Sequence, residues 1–171
     1  MKGFATNSLG YTGTVTLSQY NGNKKIQIAQ FKNNGGSSLF SFLANCLMGD
    51  FETAAQERPT KIMLLHKETE ETSNSATYES RSGFIYFLTN PERLFTDAAL
   101  PSSTICYSFN IPMELIKNQD FNCIGLYSNA AKGTTDLEDF VAVCNLDGMA
   151  GMQSTSSILI VDWKLTITNN S

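Results

Sequence analysis

The sequence predicts a mainly β protein, an antiparallel β-sandwich or flattened barrel with one short α-helix at about residues 38–48. The clearest observation lies near the C-terminus, where every second residue is apolar: Leu159, Val161, Trp163, Leu165 and Ile167. Five apolar positions at a period of two are typical of a β-strand with one buried face. Turn signals separate seven or eight predicted strands, a pattern typical of stacked antiparallel sheets.

An N-terminal hairpin is predicted from two alternating segments, Thr14–Tyr20 and Lys24–Phe31. The residues between them, Asn21-Gly22-Asn23, tolerate the positive φ angles that a tight turn needs. The first segment therefore pairs with the second in an antiparallel register.

The helix is predicted directly after this hairpin. Ser37 or Ser38 can cap its N-terminus, and Gly49 suits the left-handed position just beyond its end. We expect one apolar stripe to lie against the sandwich, with a partner chain as the alternative. The stripe is formed by residues at helical spacing: Leu39, Phe42, Leu43, Cys46 and Leu47.

Further strands are predicted at Lys61–His66, Gly83–Leu88, Ile105–Ile111, Phe121–Ser128 and Phe140–Leu146. We expect irregular structure at Phe51–Thr60, a polar loop at Lys67–Ser75 and a long connection at Glu92–Ser103. One helical turn is predicted at Met113–Lys117. No internal repeat or linker divides the chain, so residues 1–171 are predicted to form a single domain.

Composition limits the classes of function. The chain has a net charge of −4 and no basic stripe of the kind that neutralises phosphates, so direct nucleic-acid binding is not expected. Neither a signal peptide nor a long apolar run is present, so we expect a cytoplasmic origin without a membrane. Only 16% of residues are charged. That surface suits an assembly subunit and a turn-rich β protein equally.

Catalytic and metal-binding patterns are not found. His66 is the only histidine, and no nucleophile motif accompanies it. Paired carboxylates occur in predicted loops, where a structural role is favoured over hydrolysis: Asp50 with Glu52, Glu68 with Glu70, and Asp136 with Glu138 and Asp139. The last group lacks a calcium-loop spacing, and the four cysteines lack a zinc spacing. We therefore predict no enzyme, no cofactor and no metal.

Two segments together carry a resemblance. The first is the hairpin with its helix, Gly13–Phe51, and the second is the C-terminal strand, Ser156–Asn169. This arrangement resembles small β-sandwich virion proteins of tailed bacteriophages, encoded among head, neck and tail genes. The resemblance implies a structural subunit of the virion, assembled in the host cytoplasm, that packs against other virion proteins and against copies of itself.

Four residues are expected at such contacts. Phe4 and Tyr11 lie in the N-terminal arm, and Met149 and Met152 lie in a glycine-rich segment between strands. That segment is not a phosphate loop, because no helix start and no Gly-Lys-Ser/Thr sequence follows it. Methionines are flexible apolar residues that adapt to neighbouring surfaces.

A carbohydrate- or host-receptor-binding module on the same scaffold is the alternative hypothesis. It would require an exposed patch of tyrosines, and the candidates are Tyr11, Tyr20, Tyr78, Tyr86 and Tyr127. A hydrolase that depends on Glu138 is a third and weaker hypothesis. Trp163 lies in the apolar phase of the last predicted strand, so we expect it in the core rather than in a sugar site.

Overall fold

The computed structural model describes residues 8–35, 37–69, 76–86, 92–94, 104–116, 120–132, 135, 140–146 and 158–170. These residues form ten strands: β1 (Ser8–Asn21), β2 (Lys24–Gly35), β3 (Pro59–Thr69), β4 (Ala76–Ser80), β5 (Ile85–Tyr86), β6 (Glu92–Leu94), β7 (Thr104–Pro112), β8 (Cys123–Ser128), β9 (Phe140–Asn145) and β10 (Ile158–Asn170). They also form three helices: α1 (Ser37–Met48), α2 (Phe51–Glu57) and α3 (Met113–Ile116). None of these helices is both long and apolar enough to cross a bilayer.

The strands form two antiparallel sheets, so the predicted β-sandwich is confirmed. The first sheet has the order β2-β1-β10-β7-β6, and the second has the order β4-β3-β8-β9-β2. The short strand β5 also pairs with β3. Strand β2 belongs to both sheets, because most of it pairs with β1 while Asn34 and Gly35 pair with β9. The two sheets are joined along this one side, and the barrel is not closed.

The core lies where the inner faces of the two sheets meet. The alternating residues of β10 face it, with Leu159, Val161 and Trp163 fully buried, as the period of two predicts. Strands β3 and β8 contribute apolar residues from the opposite sheet: Ile62, Leu64, Ile124 and Leu126. Burial of a large apolar side chain contributes about 1.5–3 kcal/mol, so this layer is the main stabilising element.

A second, smaller cluster covers the other face of the second sheet. It contains Met63, Leu65, Cys123, Tyr127 and Phe140. Because side chains alternate along a strand, β3 directs Ile62 and Leu64 to one face and Met63 and Leu65 to the other. The strand predicted at Lys61–His66 is confirmed, and the structure buries its apolar residues on both faces.

Two predicted glycine positions are confirmed. Gly22 has a φ angle of 60° at the tip of the β1–β2 hairpin, and Gly49 has a φ angle of 77° after α1. A side chain is strained in this left-handed region, which explains the choice of glycine at both positions.

Several predicted loops are regular structure instead. The segment Phe51–Thr60 was expected to be irregular, but it forms α2 and the start of β3. Residues 67–69 extend β3 and pair with β4, and Glu92–Leu94 pairs with β7. Within the described part of Gly83–Leu88, only Ile85–Tyr86 is a strand. Residues 67–69 and Glu92–Leu94 are short, mostly polar segments, so their pairing depends on a neighbouring strand rather than on their own pattern.

Candidate functional site

The most prominent surface feature is a group of exposed apolar side chains on α1 and α2. Phe40 is 58% exposed, Leu47 82%, Met48 73% and Phe51 71%. We call these four residues the helical apolar surface. Leu47 was predicted to lie in the buried stripe of α1, and the structure places it outside instead. The other predicted stripe residues are buried or half-buried, and Leu39, Phe42 and Leu43 pack on the core.

The sequence of α1 explains why two apolar faces exist. The helix contains eight apolar residues among twelve and no charged residue. A helix that is apolar on most of its circumference is normally buried all round. In this chain the sandwich covers only one side. The excess of apolar residues and the absence of charge were the signals that could have revealed the second face from sequence.

The helical apolar surface rests on a fixed support. Ser38 Oγ donates a hydrogen bond of 2.7 Å to the carbonyl oxygen of Phe140 and ties α1 to β9. The Glu57 carboxylate of α2 accepts hydrogen bonds from Ser41 Oγ and from Asn45 Nδ2, both at 2.8 Å. The two helices are therefore joined side by side, and their exposed residues have a defined position.

The C-terminal end of α2 is attached to the sandwich. The Ala130 amide donates to the carbonyl oxygen of Gln56 at 2.9 Å, and the Asn129 amide donates to that of Arg58 at 2.9 Å. Ala54 is the buried residue of α2. These contacts leave Phe51 at the exposed start of the helix.

The border of this surface is acidic. Asp50 caps α2, because its side chain accepts a hydrogen bond of 3.1 Å from the Thr53 amide. Hydrogen bonds from Thr53 hold the pKa of Asp50 below its usual value. Asp50 and Glu52 are both exposed, so two carboxylates lie beside Phe51.

The β1–β2 hairpin exposes three further apolar side chains, of which Tyr20 and Ile26 lie on opposite faces of the sheet. Tyr20, Ile26 and Ile28 are 47%, 38% and 38% exposed. Lys24 and Lys32 on the same strand, β2, are exposed too. Among the described residues, β2 pairs with β9 only at its last two residues, so most of its outer edge has no strand beside it.

The outer face of the first sheet carries a polar cluster. Lys25 Nζ lies 2.6 Å from Asp162 Oδ2. Ser108 Oγ donates to the other oxygen of the same carboxylate. Burial raises the pKa of the neighbouring Cys106 thiol, and the negative charge of Asp162 raises it further. Lys25 is thus committed to an intramolecular ion pair, and the Cys106 thiol stays protonated.

A buried lysine closes one end of the smaller cluster. Lys61 Nζ donates to the carbonyl oxygens of Ala131 at 2.6 Å and Asn129 at 3.1 Å, and it lies 4.1 Å from the centre of the Phe84 ring. Burial lowers the pKa of Lys61. These contacts hold the segment after β8 in place. A structural role is therefore sufficient to explain why Lys61 is buried.

Among the described residues, the contacts of His66 are not those of a catalytic triad. His66 Nδ1 lies 3.1 Å from the carbonyl oxygen of Asp120 and 3.5 Å from Asp120 Oδ2, and neither group is a nucleophile of a catalytic triad. Glu70, Asp136, Glu138 and Asp139 lie outside the described residues. No group of three metal-ligating side chains occurs among the residues described.

The four predicted contact residues are not tested by the structure. Phe4, Met149 and Met152 lie outside the described residues. Tyr11 lies in β1 and pairs with Ile167, but its side chain is outside the described part. The residues found on the helical apolar surface are different ones, so the expectation of contact through termini and loops stays a prediction.

The tyrosines proposed for a sugar site are dispersed. Tyr127 is buried, and Tyr78 packs edge-on against Phe140 with ring centres 5.3 Å apart. Tyr20 and Tyr86 are exposed, but they lie on strands of different sheets. Trp163 is fully buried, as predicted.

Comparison with known protein families, curated proteins and solved structures gives no match. The function of this β-sandwich is therefore inferred from its own surface.

Proposed function

We propose that this chain is a non-enzymatic structural subunit that acts by packing against other protein chains. The observation that carries the proposal is the helical apolar surface, in which four large apolar side chains are mostly exposed on one pair of helices. Clustered apolar residues of this kind mark protein interaction sites far more often than scattered ones do.

The free energy gained by burying these four side chains is comparable to the cost of association, so a stable interface needs further contacts around them. Burying each large apolar side chain contributes about 1.5–3 kcal/mol. Association costs on the order of 4–15 kcal/mol in lost freedom of motion. The four side chains are therefore a suitable centre for an interface, and polar groups on their border must contribute the rest.

The resemblance to β-sandwich virion proteins supports a specific setting. In this proposal the chain is a head decoration, neck or tail component of a tailed bacteriophage, and it assembles in the host cytoplasm onto other virion proteins. The low charge of the chain agrees with a surface that packs against neighbours, because few charges have to be desolvated.

The experiment uses particles of the phage whose genome encodes this chain. Mass spectrometry of purified virions should detect the chain. Leu47→Asp places a charge in the helical apolar surface and should reduce the number of copies per virion at least about tenfold, because a buried unpaired charge is strongly unfavourable. Leu115→Asp is the matched control, since Leu115 is exposed on α3 and lies outside that surface. Virions without the chain, or equal incorporation of both variants, would contradict the proposal.

Carbohydrate or host-receptor binding has less support. The described tyrosines do not form one exposed patch, which such a site would need. A glycan array is the corresponding test, and a reproducible hit that Tyr20→Ala or Tyr86→Ala abolishes would favour this second function.

A further inference from the structure

The exposed apolar side chains of α1 form one stripe along the helix. Phe40 and Leu47 are seven residues apart, so they lie on nearly the same side of the helix and about 10 Å apart along its axis. The exposed Ala44 lies between them, and Met48 follows Ala44 by four residues. Phe51, the first residue of α2, follows Met48 by three residues. The stripe on α1 therefore spans about two helical turns.

Helix α2 lies along one side of this stripe. The Glu57 carboxylate of α2 accepts hydrogen bonds from Ser41 and Asn45. Each of these two residues directly follows an exposed stripe residue, Phe40 or Ala44, and is displaced from it by about 100° around the helix axis. A partner that covers the stripe is therefore placed against α2 as well.

The charge beside the stripe has one sign. Residues 33–57 contain three acidic residues and no lysine, arginine or histidine. Asp50 and Glu52 are both exposed and flank Phe51 in the sequence. Arg58 lies at the C-terminal end of α2, whereas Asp50 lies at its N-terminal end. The end of the stripe nearest the turn between the two helices is thus apolar with an acidic border.

This border opposes two other kinds of contact. Helices that bind anionic membranes carry lysine and arginine on their polar side, whereas Asp50 and Glu52 would be repelled by lipid phosphates. Face-to-face contact between the helical apolar surfaces of two copies would bring the same carboxylates together, and juxtaposed like charges are unfavourable. A partner with basic residues is favoured instead, because its charges complement the border.

We propose that the helical apolar surface binds an amphipathic helix of a different protein, one that carries lysine or arginine beside its apolar residues. In this mode of recognition, apolar residues at positions i, i+4 and i+7 of the bound helix lie against an apolar surface. Phe40 and Leu47 are separated by the same two helical turns, and the flexible Met48 side chain adapts to what it contacts. The inference rests on the proposed function and specifies the chemistry of the partner.

The test uses the full-length chain and a fluorescein-labelled synthetic peptide of about 18 residues, long enough to form a helix. The peptide carries leucine at positions i, i+4 and i+7 and lysine beside them. Fluorescence anisotropy should show saturable binding, and Leu47→Asp should weaken it at least about tenfold, because it places an unpaired charge in the contact. A peptide with glutamate in place of lysine should bind at least about tenfold more weakly. Leu115→Asp, the matched control on α3, should bind the lysine peptide like the wild type.

Two charge variants distinguish the acidic border from the net charge of the chain. Asp50→Asn with Glu52→Gln removes both border charges, and asparagine is as good a helix cap as aspartate. Glu68→Gln with Glu114→Gln removes two exposed charges elsewhere, from β3 and α3. Only the first pair should weaken binding of the lysine peptide, at least about fivefold, and reduce its dependence on salt. Circular dichroism of each variant confirms that the sandwich is folded.

The inference is overturned if the lysine peptide binds no more tightly than the glutamate peptide, or if Leu47→Asp binds it like the wild type. Equal effects of the two charge variants would also overturn it. Binding to phosphatidylglycerol vesicles without peptide binding would assign the surface to a membrane, and self-association that Leu47→Asp abolishes would assign it to a second copy.

Failure of this inference is distinguishable from failure of the proposed function. If the lysine peptide does not bind but Leu47→Asp is lost from virions, the inference is wrong and the proposed function stands with a partner of other chemistry. If the lysine peptide binds as expected but purified virions lack the chain, the proposed function is wrong and the surface still recognises a basic helix.

Discussion

Gly125 lies in β8 where two aromatic rings occupy the space a side chain would need. A Cβ atom at this position would lie 2.6 Å from Phe140 Cε1 and 2.8 Å from Tyr127 Cε2. Those rings are themselves packed together, with centres 4.9 Å apart, and both are buried. The absence of a side chain at residue 125 is therefore part of how the smaller cluster packs.

We predict that Gly125→Ala lowers the free energy of unfolding by about 1–3 kcal/mol, because the extra methyl group displaces buried rings. Urea denaturation measures this change. Gly83→Ala is the control, since nothing lies within 4 Å of its added Cβ, and its effect should stay within about 1 kcal/mol of zero. Equal effects of the two substitutions would contradict the described packing.

Lys61 should make stability depend on alkaline pH. Burial lowers the pKa of Lys61 in the folded chain below the ordinary value of 10.5, which applies to the unfolded chain. At a pH between the folded and the unfolded pKa, the unfolded chain therefore binds more protons than the folded chain. The contribution of Lys61 to the free energy of unfolding therefore rises as pH increases through this window. We predict that the stability difference between the wild type and Lys61→Met shifts in favour of the wild type as pH rises towards 10.5. If urea titrations showed that the stability difference between the wild type and Lys61→Met stays constant or falls as pH rises, the buried environment of Lys61 would be contradicted.

Among the elements, α1 and α2 depend on one another through Glu57. Its carboxylate binds Ser41 and Asn45, which lie four residues apart on one side of α1. We predict that Glu57→Ala lowers the free energy of unfolding by about 1 kcal/mol, a typical value for a partly exposed hydrogen bond. Urea denaturation of Glu57→Ala, Asn45→Ala and the double variant measures the coupling.

The double variant should lose less stability than the two single variants predict together, because both remove the same hydrogen bond. Glu52→Ala is the control in the same helix, and its effect should be a few tenths of a kcal/mol. Additive effects of Glu57→Ala and Asn45→Ala would show that α2 is held by other contacts.

An element could be predicted from the sequence when local patterns specify it, and it was missed when its stability comes from contacts with other elements. Strand β10 and the β1–β2 hairpin were predicted because alternation and turn residues are local properties of the sequence. Helix α2 was missed because Ala54 is its single buried residue, so it has no apolar period. Strand β4 was missed for the same physical reason: its pairing with β3 supplies the stability that its polar sequence does not.

The site could be predicted only in part. The sequence indicated an apolar helix that would contact the sandwich or a partner, and α1 has both kinds of face. The direction of Leu47 was not predictable, because the neighbouring residues are also apolar and only tertiary packing decides which of them the sheet covers. The contacts predicted at Phe4, Tyr11, Met149 and Met152 stay predictions.

At the scale of the whole molecule, the sandwich places its exposed apolar residues on supports that are themselves well fixed. Strand β2 joins the two sheets at one end and exposes Ile26 and Ile28 towards the other. Helix α1 fills one side of the core and forms the helical apolar surface on its outer side. One side of each of these elements packs in the fold, and the opposite side exposes apolar residues that are available for a protein contact.

The most direct measurement of the docking claim is hydroxyl-radical labelling of Met48, a residue that is 73% exposed in the single chain and readily oxidised. The native assembly isolated from its source and the diluted single chain are labelled in parallel, and mass spectrometry quantifies the sulfoxide. We predict that Met48 is oxidised at least about fivefold more slowly in the assembly, because a covered sulfur is less accessible, while Tyr86 is labelled equally in both. Equal oxidation of Met48 in the assembly and in the single chain would show that this surface stays uncovered, and would contradict the claim that it is a protein contact.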